Sequence, residues 1–452
     1  MFIHGKSILG FPYDEKEIKQ YFGDFDICEN NHEFEIKIYS YPQKYIMKLL
    51  EENRFIHKEY LFCFDENGKA FTLYECFIAP INFSIMKIIW NKCIYGYHID
   101  NIQINNINSA EYILQTKIIY PIYSLINEGL DIMNGSVHIK TKKNKRNIVK
   151  ENKIEILYIF SDKSIKIDIM ERIILRLLEI YFLQVGFCPK IEKCKMITDD
   201  KKEFYFIEDF TLYRKTTKRN MESDYLLKAK TNLNFSIIYD KWWKLREKEA
   251  VTFNIFSYLT IQNSPIKELP IATYIQCLEG YFRVHHKEDL FRFSEDTKKQ
   301  IKEEVFKLMD SSDNLKKICE NNNIKLKDIE DIFKRMSGNI NQYSLNDILK
   351  YAIERCKYSK YLFKYEMMTK KSNGKTLIDI FIQKASGHRN WLSHVMKQKK
   401  YFINKEINLA NDKLRLLFRL NLLYDIGIEV TDESLEYAVT SINNWYINNE
   451  LK

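Results

Sequence analysis

Apolar residues change their period once along this chain, near Ser264, and that change limits what it can fold into. Before it, short runs of aromatic and β-branched residues recur at Phe34–Tyr39, Tyr60–Phe64, Phe71–Phe77 and Ile154–Phe160. Turn signals such as Asp65-Glu66-Asn67-Gly68 and Asn134-Gly135 separate them, as strands require. After it, apolar positions return every three or four residues, at Ile271, Tyr274, Leu278 and Tyr281 and again at Leu435, Ala438, Ile442 and Trp445. That is the period of helices with one buried face. The pattern predicts an α+β protein, with a β-rich N-terminal domain over 1–260 followed by an all-α helical bundle over 261–452.

One long helix is expected inside the first domain, around Ile169–Gln184. The apolar run Ile167–Phe187 that contains it is broken by Asp168, Glu171, Arg172, Arg176 and Glu179, which suits a buried or amphipathic helix and argues against a membrane span. A strand at Glu203–Ile207 follows, then a polar basic stretch, Tyr213–Lys230, read as a hinge or exposed loop. In the second domain, helix starts are marked by Ser264-Pro265, by Ser344 before Leu345-Asn346-Asp347, and by Thr431-Asp432-Glu433. Polar stretches at Asp310–Asp313 and Ser372–Lys375 separate helices.

Lys and Arg total 70 against 61 Asp and Glu, a net charge of +9 that favours polyanions in general. Lys, Ile, Asn, Tyr and Phe crowd the whole chain, so charge alone does not single out nucleic acid. The run Lys142-Lys143-Asn144-Lys145-Arg146 lies between β-type segments and is assigned no role. The nine cysteines form no CxxC pair, which argues against a zinc knuckle and for reduced, mostly buried thiols. Met1–Glu17 lacks the basic and apolar pattern of a secretory signal, so a cytoplasmic location without membrane attachment is expected. Phosphate-loop, dinucleotide, zincin, α/β-hydrolase and EF-hand motifs are all missing, and no cofactor or metal is expected.

Chemistry concentrates in Ala385-Ser386-Gly387-His388-Arg389-Asn390-Trp391-Leu392-Ser393-His394, placed near the start of a helix continuing through Met396. On a helix Arg389 and His394 stand about 140° apart and about 7.5 Å along the axis, flanking a groove, whereas Asn390 and His394 share a face. Histidine moves protons near neutrality, and arginine offers phosphate oxygens a permanent charge with a fork of donors. The pair can therefore serve acid/base and electrostatic catalysis on a phosphodiester without a metal. The spacing alone is a weak signal, because a surface arginine and a backbone-satisfied histidine would share it.

A second helix supplies context: Gln276, Glu279, Arg283 and His286 form a polar stripe beside the apolar one. Glu279 suits either the site or an ordinary ion pair with Arg283 one turn on. His388, His285 and His286 lack partners at metal-ligand spacing and are read as polar surface residues. Trp391 suits packing, with base stacking as the alternative. Lys397, Lys399 and Lys400 follow the motif and could track an RNA backbone or simply face solvent.

The segments LEGYFRVHH and, about a hundred residues later, SGHRNWLSH resemble the HEPN ribonuclease superfamily, whose motif is an Arg and a His separated by four to six residues. The helical bundle behind a β-rich domain further resembles the ApeA-like and Abi-like proteins of anti-phage defence. The resemblance implies a metal-independent endoribonuclease working as a homodimer or higher even-numbered oligomer. In that chemistry the RNA 2′-hydroxyl attacks the adjacent phosphate, leaving a 2′,3′-cyclic phosphate and a 5′-hydroxyl. His394 would be the acid/base residue, Arg389 would bind the scissile phosphate, Asn390 would position one of them, and Glu279 would support from the facing helix. The β-rich domain would sense or restrain, released by a phage-derived trigger. Two readings compete: a non-catalytic RNA-binding or dimerisation module, and a ligand-binding β domain for which the bundle is an oligomerisation scaffold.

Overall fold

The computed structural model describes residues 3–14, 17–27, 33–38, 56–64, 68–82, 85–89, 92–96, 106–117, 122, 126, 129–142, 148–149, 152–186, 189–208, 229–230, 234–261, 268–290, 293–337, 343–368, 376–394, 401–402 and 405–450. They fall into two compact units, Met1–Leu226 with Thr231–Trp242, and Leu227–Lys230 with Trp243–Lys452. Of the sequence expectations, Asp65–Asn67, Ser264-Pro265, Ser372–Lys375 and the stretch 209–228 lie outside the described residues.

The first unit is built on an antiparallel sheet. Its strands are β1 (Ile3–Asp14), β2 (Glu17–Ile27), β3 (Glu33–Ile38), β4 (Ile56–Phe64), β5 (Ala70–Asn82), β6 (Ile85–Ile89), β7 (Lys92–Tyr95), β8 (Ile107–Lys117), β9 (Leu130–Ile132), β10 (Val137–Lys142), β11 (Ile148–Val149), β12 (Asn152–Ile165), β13 (Lys190–Thr198) and β14 (Glu203–Glu208). They lie in the order β1-β2-β3-β6-β5-β7-β14-β13-β8-β12-β10-β9, with β4 beside β5 and β11 beside β12. The period of two is visible where β12 runs antiparallel to β8, Leu157 opposite Tyr112 and Ile159 opposite Ala110. Those residues are buried, while Glu111, Tyr158 and Phe160 between them face outward. The β9–β10 turn holds Asn134 and Gly135 at φ of 59° and 81°, a left-handed backbone that Asn and Gly accept most readily.

Helix α1 (Ile167–Val185) packs against β8 and buries nearly every residue from Met170 onward. The charges that interrupt its apolar run are mostly paired. Lys92 Nζ lies 2.6 Å from Glu171, and Glu179 accepts from Arg176 at 2.7 Å and from Trp242 Nε1 at 2.8 Å. Gly186, at φ of 73°, ends the helix by donating its N–H to the Phe182 carbonyl. Among the described residues no helix is long and apolar enough to cross a membrane.

Helix α2 (Phe235–Lys248) crosses the division between the units. The second unit continues with α3 (Val251–Ile261), α4 (Leu269–His285), α5 (Glu295–Ser311), α6 (Asp313–Asn321), α7 (Leu326–Ser337), α8 (Leu345–Arg355), α9 (Ser359–Leu362), α10 (Lys364–Met368), α11 (Leu377–His394), α12 (Lys405–Ile426) and α13 (Asp432–Glu450). It is not purely helical, since β15 (Ala229–Lys230) pairs with β16 (Glu429–Val430). Helix α3 belongs here because the Phe256 ring packs edge-on against Phe418 of α12 at 4.7 Å and Tyr274 of α4 at 5.8 Å. The expected capping residues Ser344 and Thr431 work as side-chain acceptors: Ser344 and Asp347 form a reciprocal capping box, and Thr431 Oγ1 accepts from the Ser434 N–H. In the polar stretch Asp310–Asp313, Ser312 caps α6.

Two helices organise this core. Helix α4 touches α3, α8, α11 and α12. Helix α12 buries Leu414, Leu416, Leu417, Phe418, Leu420, Leu422 and Leu423 together with Lys413, Arg415, Arg419 and Asn421, as a helix surrounded on all sides does. Its buried charge is compensated locally: the Lys413 ammonium bonds Glu366 and sits 5.0 Å from the centre of the Phe363 ring. Cys76, Cys93, Cys194, Cys277, Cys319 and Cys356 are buried thiols.

Candidate active site

The motif helix starts earlier than its sequence suggests. Thr376 caps α11, its Oγ1 accepting from the Asp379 N–H at 3.2 Å while Asp379 Oδ2 accepts from the Thr376 N–H at 3.0 Å. This reciprocal box sets the N-terminus at Leu377, so Gly387–His394 occupies the last turns of the helix and not its start. Met396 lies outside the described residues. Gly387 passes through the helix because no side chain fits there: a Cβ would stand 2.5 Å from the Tyr401 ring.

On α11 the residues Phe381, Ala385 and His388, spaced four and three apart, make the buried face. His388 is therefore a core residue, which corrects its reading as a surface group. Its Nε2 is 3.4 Å from the Glu268 carbonyl, and its ring lies 5.4 Å from Trp391 and 5.7 Å from Phe402. Trp391 thus packs against a neighbour on its own helix.

Arg389 follows His388 and turns toward α4. Its Nη2 donates to Glu279 Oε2 at 3.2 Å and its Nη1 to Asn390 Oδ1 at 3.1 Å. Glu279 is shared, because its other oxygen accepts from Arg283 Nε at 3.1 Å and Nη2 at 3.0 Å. The two alternatives for Glu279 are thus both realised: it pairs one turn along its own helix and across to Arg389. The Glu279, Arg389 and Arg283 side chains keep 19%, 26% and 36% of their surface exposed, so the cluster is open to a ligand. The Arg389 Nε–H is buried and has no hydrogen-bond acceptor among the described residues.

The structure therefore brings together Arg389, Asn390 and Glu279. His394 is the last residue of α11, and its side chain lies outside the described residues, as do Lys397, Lys399 and Lys400.

The polar stripe of α4 ends in a buried node that sequence reasoning missed. Asp425, near the end of α12, accepts from the Tyr281 hydroxyl and from Arg355 Nη2, and its Oδ2 lies 3.0 Å from His286 Nε2. His286 Nδ1 is also 3.5 Å from Asp289, which accepts from the Tyr351 hydroxyl at 2.8 Å. Burial works against the Asp425 anion, but the bonds from His286, Arg355 and Tyr281 outweigh it and hold its pKa below the usual carboxylate value. His286 is thus a bridging group and not a surface residue. His285 packs its ring 4.8 Å from Tyr281, and burial lowers its pKa. No local spacing marks this node, since its members come from α4, α8 and α12. Among the described residues no group of three or more His, Cys, Asp or Glu side chains is placed to hold a metal ion.

Residues 272–432 match the family model described as Apea-like HEPN. The match includes both helices of the site, α4 from Ala272 and the whole of α11. No curated protein and no solved structure matches the chain. Glu279 and Arg389 are joined inside the matched helical span, and over residues 272–432 the chain is similar to the ApeA-like proteins of the HEPN superfamily.

Proposed function

We propose that the helical unit is a metal-independent endoribonuclease and that the protein acts as an abortive-infection effector against phage. The family match supports the nuclease class and suggests anti-phage defence. The observation that carries the reading is the Arg389 guanidinium at a partly open surface, set by Asn390 and Glu279 beside the helix end that bears His394. Arginine there supplies a permanent charge for the scissile phosphate, whose negative charge grows as the fifth oxygen bonds to phosphorus.

In the proposed reaction the 2′-oxygen bonds to phosphorus and the bond to the 5′-oxygen breaks. The 2′-hydroxyl proton passes to a base and a proton is returned to the leaving 5′-oxygen. His394 is assigned acid/base duty, and Asn390 is assigned the positioning of Arg389, to which its amide oxygen is bonded. Glu279 supports from α4, and Lys397, Lys399 and Lys400 are assigned to the RNA backbone. Two copies of the motif line one cleft in a homodimer or higher even-numbered oligomer. The sheet unit senses a phage-derived trigger and holds the nuclease in check until then, because an unrestrained ribonuclease would harm its host.

The test is growth with and without phage, with end-labelling of total RNA, for the native protein, Arg389→Ala and His394→Ala. New 5′-hydroxyl RNA ends that vanish in either variant support the reading. Variants that protect and cleave like the native protein would overturn it. RNA bound by the native protein without new ends would favour a non-catalytic RNA-binding module.

A further inference from the structure

Glu279 places one carboxylate between two arginines, and its geometry serves neither completely. Arg283 directs Nε and Nη2, the fork edge that usually takes both oxygens of an anion, to the single oxygen Oε1, and its Nη2 also donates to the Tyr343 carbonyl at 3.4 Å. Arg389 reaches Oε2 with Nη2 only, and the Nε–H on the same edge is buried without an acceptor among the described residues. A buried donor left without a partner costs free energy, and the cost is recovered when an acceptor arrives. A phosphodiester has two non-bridging oxygens spaced much like those of a carboxylate, carries a full negative charge, and has two ester oxygens besides. It can span the same two guanidiniums and complete the Arg389 fork.

We propose that Arg283 is a second phosphate-binding residue and that Glu279 occupies the phosphate position in the ligand-free protein. An incoming RNA phosphate displaces the Glu279 carboxylate from Arg389 and is held between Arg389 and Arg283. The inference rests on the reading of this cleft as an RNA site, and it changes the assignment of Glu279 from a supporting group to a competitor. Partial exposure of all three side chains allows the exchange without unfolding α4 or α11. Because the arginines come from two helices, a phosphate held between them would also fix which stretch of RNA backbone faces the end of α11.

The experiment measures binding of a short single-stranded RNA, methylated at every 2′-oxygen so that it cannot be cleaved, across a series of salt concentrations. The native full-length chain is compared with Arg283→Gln, Arg283→Lys, Glu279→Gln and Arg389→Ala, with thermal melting to confirm folding. Glu279→Gln is expected to bind about two- to fivefold tighter, the range for removing a part-exposed competing ion pair. Arg283→Gln is expected to bind more weakly and to lose about 0.7 from the slope of log affinity against log salt, the signature of one lost contact to single-stranded phosphate. Arg283→Lys keeps the slope but binds more weakly than the native protein, because a point charge replaces the fork. If Glu279→Gln binds no tighter and Arg283→Gln keeps the native slope, the proposal falls, and a nuclease whose 5′-hydroxyl ends still require Arg389 and His394 stands without it. If the native chain neither binds this RNA nor produces such ends, the reading of the cleft fails and takes the proposal with it.

Discussion

His286 Nε2 lies 3.0 Å from the Asp425 carboxylate across 139 residues of sequence, and this contact joins the end of α4 to the end of α12. Arg355 and Tyr281 bond the same carboxylate, so one acidic side chain holds three helices together. Asp425→Asn would take from Arg355 and His286 the carboxylate they share, at a site where Asp425 keeps only 12% of its surface. A loss of about 3 kcal/mol is expected, the usual cost of removing one partner of a buried ion pair.

The same node has a pH signature. The folded Asp425 pKa lies below its ordinary value, so its contribution to stability is fully present above the unfolded pKa of about 4 and is lost as pH falls through the lower folded value. Melting curves from pH 7 down to pH 2 should show the native protein and Asp425→Asn converging in acid. A constant gap across that range would mean that the carboxylate charge is not what stabilises the node.

Lys413 and Glu366 are buried together, with 1% and 6% of their side-chain surface exposed. Lys413→Met removes the ammonium that Glu366 bonds and should destabilise by about 3–5 kcal/mol. Adding Glu366→Leu should restore most of that loss, because a well-packed apolar pair replaces a costly ionic one. Urea unfolding of the two single variants and the double variant reads the cycle, and a double variant weaker than both singles would contradict it.

Gly387 should show a sign reversal. In the native chain Gly387→Ala forces the Tyr401 ring away from a Cβ at 2.5 Å, and a cost of about 1–3 kcal/mol is expected for overpacking. In a Tyr401→Ala background the obstacle is gone, and the same change should stabilise by up to about 1 kcal/mol through helix propensity. Chemical denaturation of the four proteins tests this.

Burial pushes the Cys277 thiol up to about 12 and the Cys356 thiol up to about 11. The thiolate is the reactive form, so both should resist iodoacetamide at pH 8 in the folded protein and be alkylated once urea unfolds it. Peptide mass spectrometry before and after unfolding gives the answer, and rapid labelling of either in the native state would show that its burial is not maintained.

Much of the helical unit was legible before its structure. Ser344 and Thr431 announced their helices because a cap is a contact within three residues, and the apolar rhythm of 271–281 marked the buried face of α4 for the same reason. The sequence places Ala385–His394 near the start of α11, whereas the Thr376–Asp379 box begins the helix at Leu377, and the helix runs on through Gly387. His388 was misread because a polar residue next to Arg389 looks solvent-facing until Phe381 and Ala385 are counted on its side of the helix.

By itself the sequence determined the order of a β-rich part and a helical part, the absence of a long uncharged apolar run, and the stripe carrying Glu279, Arg283 and His286. These follow from local geometry, since periods of two and of 3.6 repeat within a few residues. Only the tertiary structure decided that Glu279 bridges to Arg389, 110 residues away, and that His286 meets Asp425. A stripe states which residues share a face, but its partners depend on how neighbouring helices cross and which side chains their packing brings within about 3 Å, and residue spacing does not encode that.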